Sequence, residues 1–188
     1  ENLDFAQQIN EKKNIFYAKY FPTDASLSAF ENYDGVQQLS LDSCQVTDNG
    51  LKALRKSKLL ALTLDECNIT GVDNIAQLGY LQSLDLRGTY IGNSALPALA
   101  NLKMLRLLNL RSCKKLTDEG LQALAQSTSL RDVKISEDQF SKKAMNALRQ
   151  KMPQCTIEGY DHHCVTDEII LAAAPKGKAP ALENLYDA

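Results

Sequence analysis

Few side chains in this sequence stand where they could do chemistry together. The only two histidines, His162 and His163, sit in the run Asp161-His162-His163-Cys164. Any Ser/His/Asp or Cys/His arrangement would have to use them. Read as a metal site, the run offers one histidine pair and one thiol, and adjacent side chains point apart. That falls short of the closed four-ligand set of a structural zinc site. The sequence holds no Gly-rich phosphate loop, no G-x-S-x-G elbow and no H-E-x-x-H pair. A metal-binding or enzymatic protein using His162, His163 and Cys164 is therefore the reading these residues favour least. The expectation is a non-enzymatic chain with no catalytic, cofactor-binding or metal residues.

The cysteines have a plainer reading. Cys44, Cys67 and Cys113 each stand three residues after a leucine, at Leu41, Leu64 and Leu110, and Thr89 takes that place after Leu86. Small residues at one recurring position read as a ladder of buried, inert thiols. With Cys155 and Cys164 the count is five, and an odd number points to a reducing compartment, the cytoplasm or an organelle matrix. The first residue is Glu1 rather than Met, so residues were removed or omitted upstream, which leaves a cleaved targeting segment open. Asp48 and Asp118 also read as structural, since each follows a threonine at the start of a helical stretch. There the hydroxyl caps the helix and the carboxylate faces its positive end.

What positions all of these is a repeat. Val36-x-x-Leu39-x-Leu41 recurs at Leu59, Leu81, Leu105 and Leu130, in steps of 23, 22, 24 and 25 residues. Residues two apart share one face of a strand. The second half of each unit switches to helical spacing, as at Leu51 and Leu54, Leu96 and Leu99, and Leu121 and Leu124. Neither half can bury its apolar face alone, so the units must stack and pair their strands in parallel.

The run Ser112-Cys113-Lys114-Lys115-Leu116-Thr117-Asp118-Glu119-Gly120-Leu121 resembles the cysteine-containing class of leucine-rich repeats found in F-box adaptors and bacterial repeat proteins. Leu81 to Thr89 is similar to the bacterial variant with Gly-Thr replacing Cys, and Leu148 to Ile157 to the closing helix and strand of such chains. The resemblance covers about residues 36–157, and residues 1–35 show no F-box. It implies an α/β right-handed solenoid with a parallel sheet on the concave face and helices on the convex face. It also implies a role in recognising proteins rather than in one reaction.

Residues 1–35 read as a helical N-terminal cap ending in a degenerate first repeat. Phe5 and Ile9, then Phe16 and Tyr20, stand at helical spacing, and Thr23-Asp24-x-x-Leu27 mimics the helical half of a unit. The rival reading of the seven aromatics there is an exposed docking surface. Residues 36–159 form the repeat domain, and residues 160–188 a tail. In that tail Leu182, Leu185 and Tyr186 follow a linker-like Ala/Pro/Lys stretch and could dock on a neighbour or fold back.

Function is then sought on the inner face. The side chain between the two strand leucines runs Ser40, Thr63, Asp85, Asn109, Lys134, and the one after the second runs Asp42, Asp65, Arg87, Arg111, Ser136. The one before the first runs Gln38, Ala61, Ser83, Leu107, Asp132. Strands about 4.8 Å apart bring Asp65 beside Arg87, and Asp85 diagonal to Arg87 or Arg111. On a solvated face such pairs contribute roughly 0–1 kcal/mol each. The partner-contacting set is Asp42, Asp65, Asp85, Arg87, Asn109, Arg111 and Lys134, presented to a protein or peptide. With a net charge of −2 and 23% charged residues there is no global case for nucleic acid, and no run is long and apolar enough for membrane insertion. The alternative is a structural or assembly subunit of a larger complex, held by cap and tail.

Overall fold

The computed structural model describes residues 5–160; the Asp161–Cys164 run and the expected docking tail lie outside the described residues. Seven parallel strands form one sheet in sequence order: β1 Ile15–Lys19, β2 Gln38–Asp42, β3 Ala61–Asp65, β4 Ser83–Asp85, β5 Leu107–Asn109, β6 Asp132–Ser136 and β7 Thr156–Tyr160. The register places equivalent residues of every repeat opposite one another. Phe16, Leu39, Leu62, Leu84, Leu108, Val133 and Ile157 make one continuous inward column. Every member of that column is buried. Burying such a side chain stabilises by about 1.5–3 kcal/mol, and a one-residue slip would turn the column outward.

The helical halves are uneven. The α-helices are α1 Phe5–Asn10, α2 Asp24–Leu27, α3 Leu96–Ala100, α4 Asp118–Leu124 and α5 Lys142–Lys151. Where helices were expected after β2 and β3, the chain makes only 3₁₀ turns, at Gly50–Leu54 and Ile75–Gln77. The repeats of 22 and 23 residues leave fewer residues to return the chain than those of 24 and 25. The tighter 3₁₀ coil suits such short pieces.

The N-terminal segment departs from the expected helix. Phe16 and Tyr20 do not share a helical face: Phe16 lies within β1, Tyr20 just beyond it, and Phe16 and Ala18 pair with Leu39 and Leu41. Period two outcompetes period four because the β2 edge offers backbone partners, and Phe16 and Ala18 supply the two inward residues of a repeat. Phe5, Phe16, Phe30 and Tyr33 then close that end of the core. Ring centroids stand 4.9 Å apart for Phe16–Phe30, 5.0 Å for Phe5–Phe30 and 6.1 Å for Phe16–Tyr33. Tyr17, Tyr20 and Phe21 remain exposed.

The first five strands end in the same strained step. Two residues past the last inward strand position, Tyr20, Ser43, Glu66, Gly88 and Ser112 have φ of 66°, 51°, 52°, 68° and 58°. Only one is glycine, so the other four each carry a cost of order 1 kcal/mol. The return is a hydrogen bond to the next repeat. The N–H groups of Tyr20, Ser43, Glu66 and Gly88 donate to the carbonyls of Asp42, Asp65, Arg87 and Arg111 at 2.8–3.0 Å. Ser112 donates to the Ser136 hydroxyl at 2.9 Å.

Candidate functional site

The inner-face columns are brought together as expected, but far less of them meets solvent. Asn109 is 0% exposed, Arg111 6%, and Asp65 and Lys134 7% each. Arg87 spans one rung to hold both carboxylate oxygens of Asp65, its Nε donating at 2.8 Å. This fork matches the geometry of a carboxylate. It holds the Arg87 guanidinium firmly charged, chiefly through the hydrogen bond to Asp65.

The network continues without a break. Asp85 accepts the Arg87 backbone N–H at 2.8 Å and the Asn109 amide at 2.9 Å. Asn109 in turn accepts from the backbone N–H and Nε of Arg111, at 3.2 and 3.1 Å. Asp85 reaches Arg111 through Asn109, which stands between them in the role assigned by sequence to a diagonal ion pair. Burial pushes the Asp85 carboxyl above its ordinary range, against the hydrogen bonds from Arg87 and Asn109. The expectation of solvated surface pairs gives way to a closed polar layer. Its cause is spacing: rungs about 4.8 Å apart are narrower than an arginine is long, so each side chain lies over its neighbour and excludes water.

At the N-terminal end, Asp42 accepts the Ser43 hydroxyl at 2.8 Å, and that hydroxyl also lies 3.2 Å from Glu66. Gln38, Ser40 and Thr63 are half-buried and Tyr17 is exposed. With Phe16, Leu39 and Ala61, residues Tyr17, Gln38 and Ser40 line a shallow dip in the surface. At the other end Lys134 stands opposite Glu158 in the β6–β7 register. Asp132 is pushed up by burial and by Glu158, and one of its carboxylate oxygens is buried without a hydrogen-bond partner.

The thiols lie where the ladder reading puts them. Cys44, Cys67 and Cys113 are buried, and each Sγ donates to a carbonyl of the preceding repeat: Ala18 at 3.6 Å, Leu41 at 3.7 Å and Leu86 at 3.0 Å. Thr89 fills its rung by donating to Leu86 at 2.6 Å. Burial pushes the thiols of Cys113 and Cys155 up to about 11. Cys67 is pushed up by its hydrogen bond with Cys44 and by burial, and Cys44 is lowered by the same bond. Among the described residues no group of three or more His, Cys, Asp or Glu stands together as a metal would need.

Sequence reasoning missed one device. Asp48 and Asp118, expected to face the positive ends of their own helices, reach into the next repeat. Asp48 accepts from Thr70 Oγ1 at 2.7 Å and Gly71 N at 3.1 Å, and Asp118 from Ser141 N at 2.9 Å. Asp24 does the same to Thr47 N and Oγ1 at 2.7 and 2.6 Å, and Asn93 to Thr117 N at 3.0 Å. The signal was the spacing: Asp24, Asp48 and the following Thr or Ser recur at the repeat length, which links rungs rather than residues within a turn. Gly71 and Gly92 leave one rung of this ladder without its side chains.

Comparison with known proteins agrees with this architecture. The family model described as Leucine Rich repeat matches residues 36–54 and 101–125. A solved leucine-rich-repeat protein of Leptospira interrogans superimposes with a TM-score of 0.53 and 21% sequence identity, over 70% of this chain. The chain spans 33% of the length of that protein.

Proposed function

We propose that this chain, a leucine-rich-repeat protein by its repeat, its sheet and its family match, is a non-enzymatic interaction module that binds a protein or peptide partner on the sheet face bearing Ser40, Asp42, Thr63, Arg87 and Lys134. The observation that carries the reading is the state of that face. Its polar side chains are already fixed by one another from Asp65 to Arg111, so binding costs little further ordering. The buried network sets the relief and charge of the surface. The half-buried side chains at the N-terminal end, together with the outer side of Arg87, supply the contacts.

The accessible part of the face offers Asp42 on β2 and the outer side of Arg87 beyond β4, so complementary charges on a partner favour one direction of docking. The test uses the full chain as bait, identification of what it retains, and affinities measured with that purified partner. Gln38→Arg and Ser40→Arg place bulk on the face at positions whose register partners, Ala61 and Thr63, lie outside the network, and should weaken binding on the order of tenfold or more, with the circular dichroism unchanged. Lys142→Glu on α5 should leave affinity as it was. Equal affinity for the native chain and both face variants would remove this surface from the reading.

A further inference from the structure

A second surface runs along the rim where the chain enters each strand. The backbone ties it into a column: Leu60 N–H donates to Gln37 O, Gln82 to Leu60, Arg106 to Gln82 and Arg131 to Arg106, each at 2.8 Å. Two residues upstream in three successive repeats stand Lys58, Tyr80 and Met104. Tyr80 is 52% and Met104 42% exposed. Lys56, Lys58, Lys103 and Arg106 surround them, all exposed. The entering segments 55–61, 76–83, 101–107 and 125–131 contain no Asp or Glu, so the rim is cationic without the mixed signs of an ordinary solvated surface.

Two cations of this rim are structural. Arg55 is held by Asn74 at 3.0 Å through Nε, and Arg131 donates to the carbonyls of Thr128, Ser129 and Leu130 at 2.8–3.1 Å beyond the end of α4. Lys56, Lys58, Lys103 and Arg106 make no salt bridge or side-chain hydrogen bond among the described residues. Four such cations flank two protruding apolar side chains over three rungs, a span of roughly 10 Å at the strand spacing.

We infer that this rim is a docking surface for an acidic protein segment carrying an apolar side chain, in which Tyr80 and Met104 receive the apolar group and Lys56, Lys58, Lys103 and Arg106 the carboxylates. Tyrosine, methionine and arginine are the residues enriched at the centres of protein interfaces. These four cations lie together on one short rim of a chain with net charge −2. A nucleic-acid backbone or a lipid surface draws its affinity from many cations over a wide face, so a short polypeptide fits these four better. The rim lies outside the column set of the sheet face, so this inference stands or falls independently of the reading given for that face.

The isotope-labelled full chain is titrated with a short synthetic peptide of Asp and Glu around a central leucine. Its Asn/Gln counterpart, a single-stranded oligonucleotide of equal length and phosphatidylserine vesicles are run in parallel. Saturable binding is expected with the acidic peptide, weakening with salt, with amide shifts at residues 56–60, 79–82 and 102–107. Lys58→Glu with Arg106→Glu should weaken it on the order of tenfold, and Tyr80→Ala should weaken it without changing its salt dependence. Lys142→Glu with Lys143→Glu removes two equally exposed cations elsewhere and should change nothing. No saturable binding, shifts centred elsewhere, an equal loss in the control variant, or tighter binding of oligonucleotide or vesicles would each overturn the assignment.

Discussion

Replacing Asn109 by alanine separates a buried polar layer from a solvated one. Asn109 is fully buried and makes three hydrogen bonds, one to the Asp85 carboxylate and two from Arg111. A neutral bond contributes about 1 kcal/mol net and one to a charged group about 1.5–3 kcal/mol. Water entering the alanine gap recovers part of this, which leaves a loss of about 3 kcal/mol. For a chain of this size that is a fall in melting temperature of about 9 °C. The cost also depends on pH. Asp85 binds its proton more tightly in the folded chain than in the unfolded one, so it lowers stability progressively as pH rises above the ordinary carboxylate value of about 4. The Asn109 amide is one of the groups opposing that upward shift. Without it the carboxyl is pushed further up, and the penalty is larger at pH 7 than at pH 4. Urea unfolding of the native chain, Asn109→Ala, Asp85→Ala and the double variant at both pH values measures this directly. A loss below 1 kcal/mol at pH 7, an equal loss at pH 4, or additivity of the two substitutions would refute the layer as a coupled unit.

Gly88→Ala should destabilise by about 1 kcal/mol, because φ is +68° there and the new methyl would stand 2.9 Å from Glu66 Cγ; a gain in melting temperature would show the step is unstrained. In a Cys164→Ser background the native chain should react with a disulfide-exchange reagent at pH 8 far more slowly than the urea-unfolded chain, since Cys44, Cys67, Cys113 and Cys155 are all buried; a fast native phase would place a thiol at the surface. Gly71→Asn with Gly92→Thr should supply the missing rung of the side-chain ladder. An added Cβ meets nothing closer than 3.9 Å at either site, so the expected gain is about 1 kcal/mol by thermal unfolding, and a loss would refute the ladder as a transferable device.

The leucine ladder was legible because its period is set by a constraint that leaves no choice. A parallel rung must place an apolar residue inward at every strand, and Leu39, Leu62, Leu84 and Leu108 do so at intervals the eye can count. Phe16 and Ala18 obey the same rule but escaped it, since an aromatic and an alanine do not spell the repeat and Tyr20 completed a competing helical spacing. The thiol column was legible for the reason the leucines were. The Asp24, Asp48, Asn93 and Asp118 staples were hidden by an equally good local explanation: an acid after threonine at a helix start caps that helix in most settings. Only the neighbouring repeat, one rung away, decides which donor the carboxylate takes.

Columns of charge on a sheet face overstate what is available to a partner. A side chain projecting from a strand has two neighbours within reach before any ligand arrives, and on parallel rungs those neighbours recur at the same height. Asp65 therefore meets Arg87, and Asp85 meets Asn109, at separations no outside group improves upon. What such a face offers is what the pairing leaves over. On this chain that is the half-buried end around Gln38, Ser40 and Thr63, and the outer side of the Arg87 fork. The rim obeys the same logic with the opposite result. No acid stands in segments 55–61, 76–83, 101–107 and 125–131, so Lys58 and Arg106 have no acidic rung-mate there, and their charge stays directed outward.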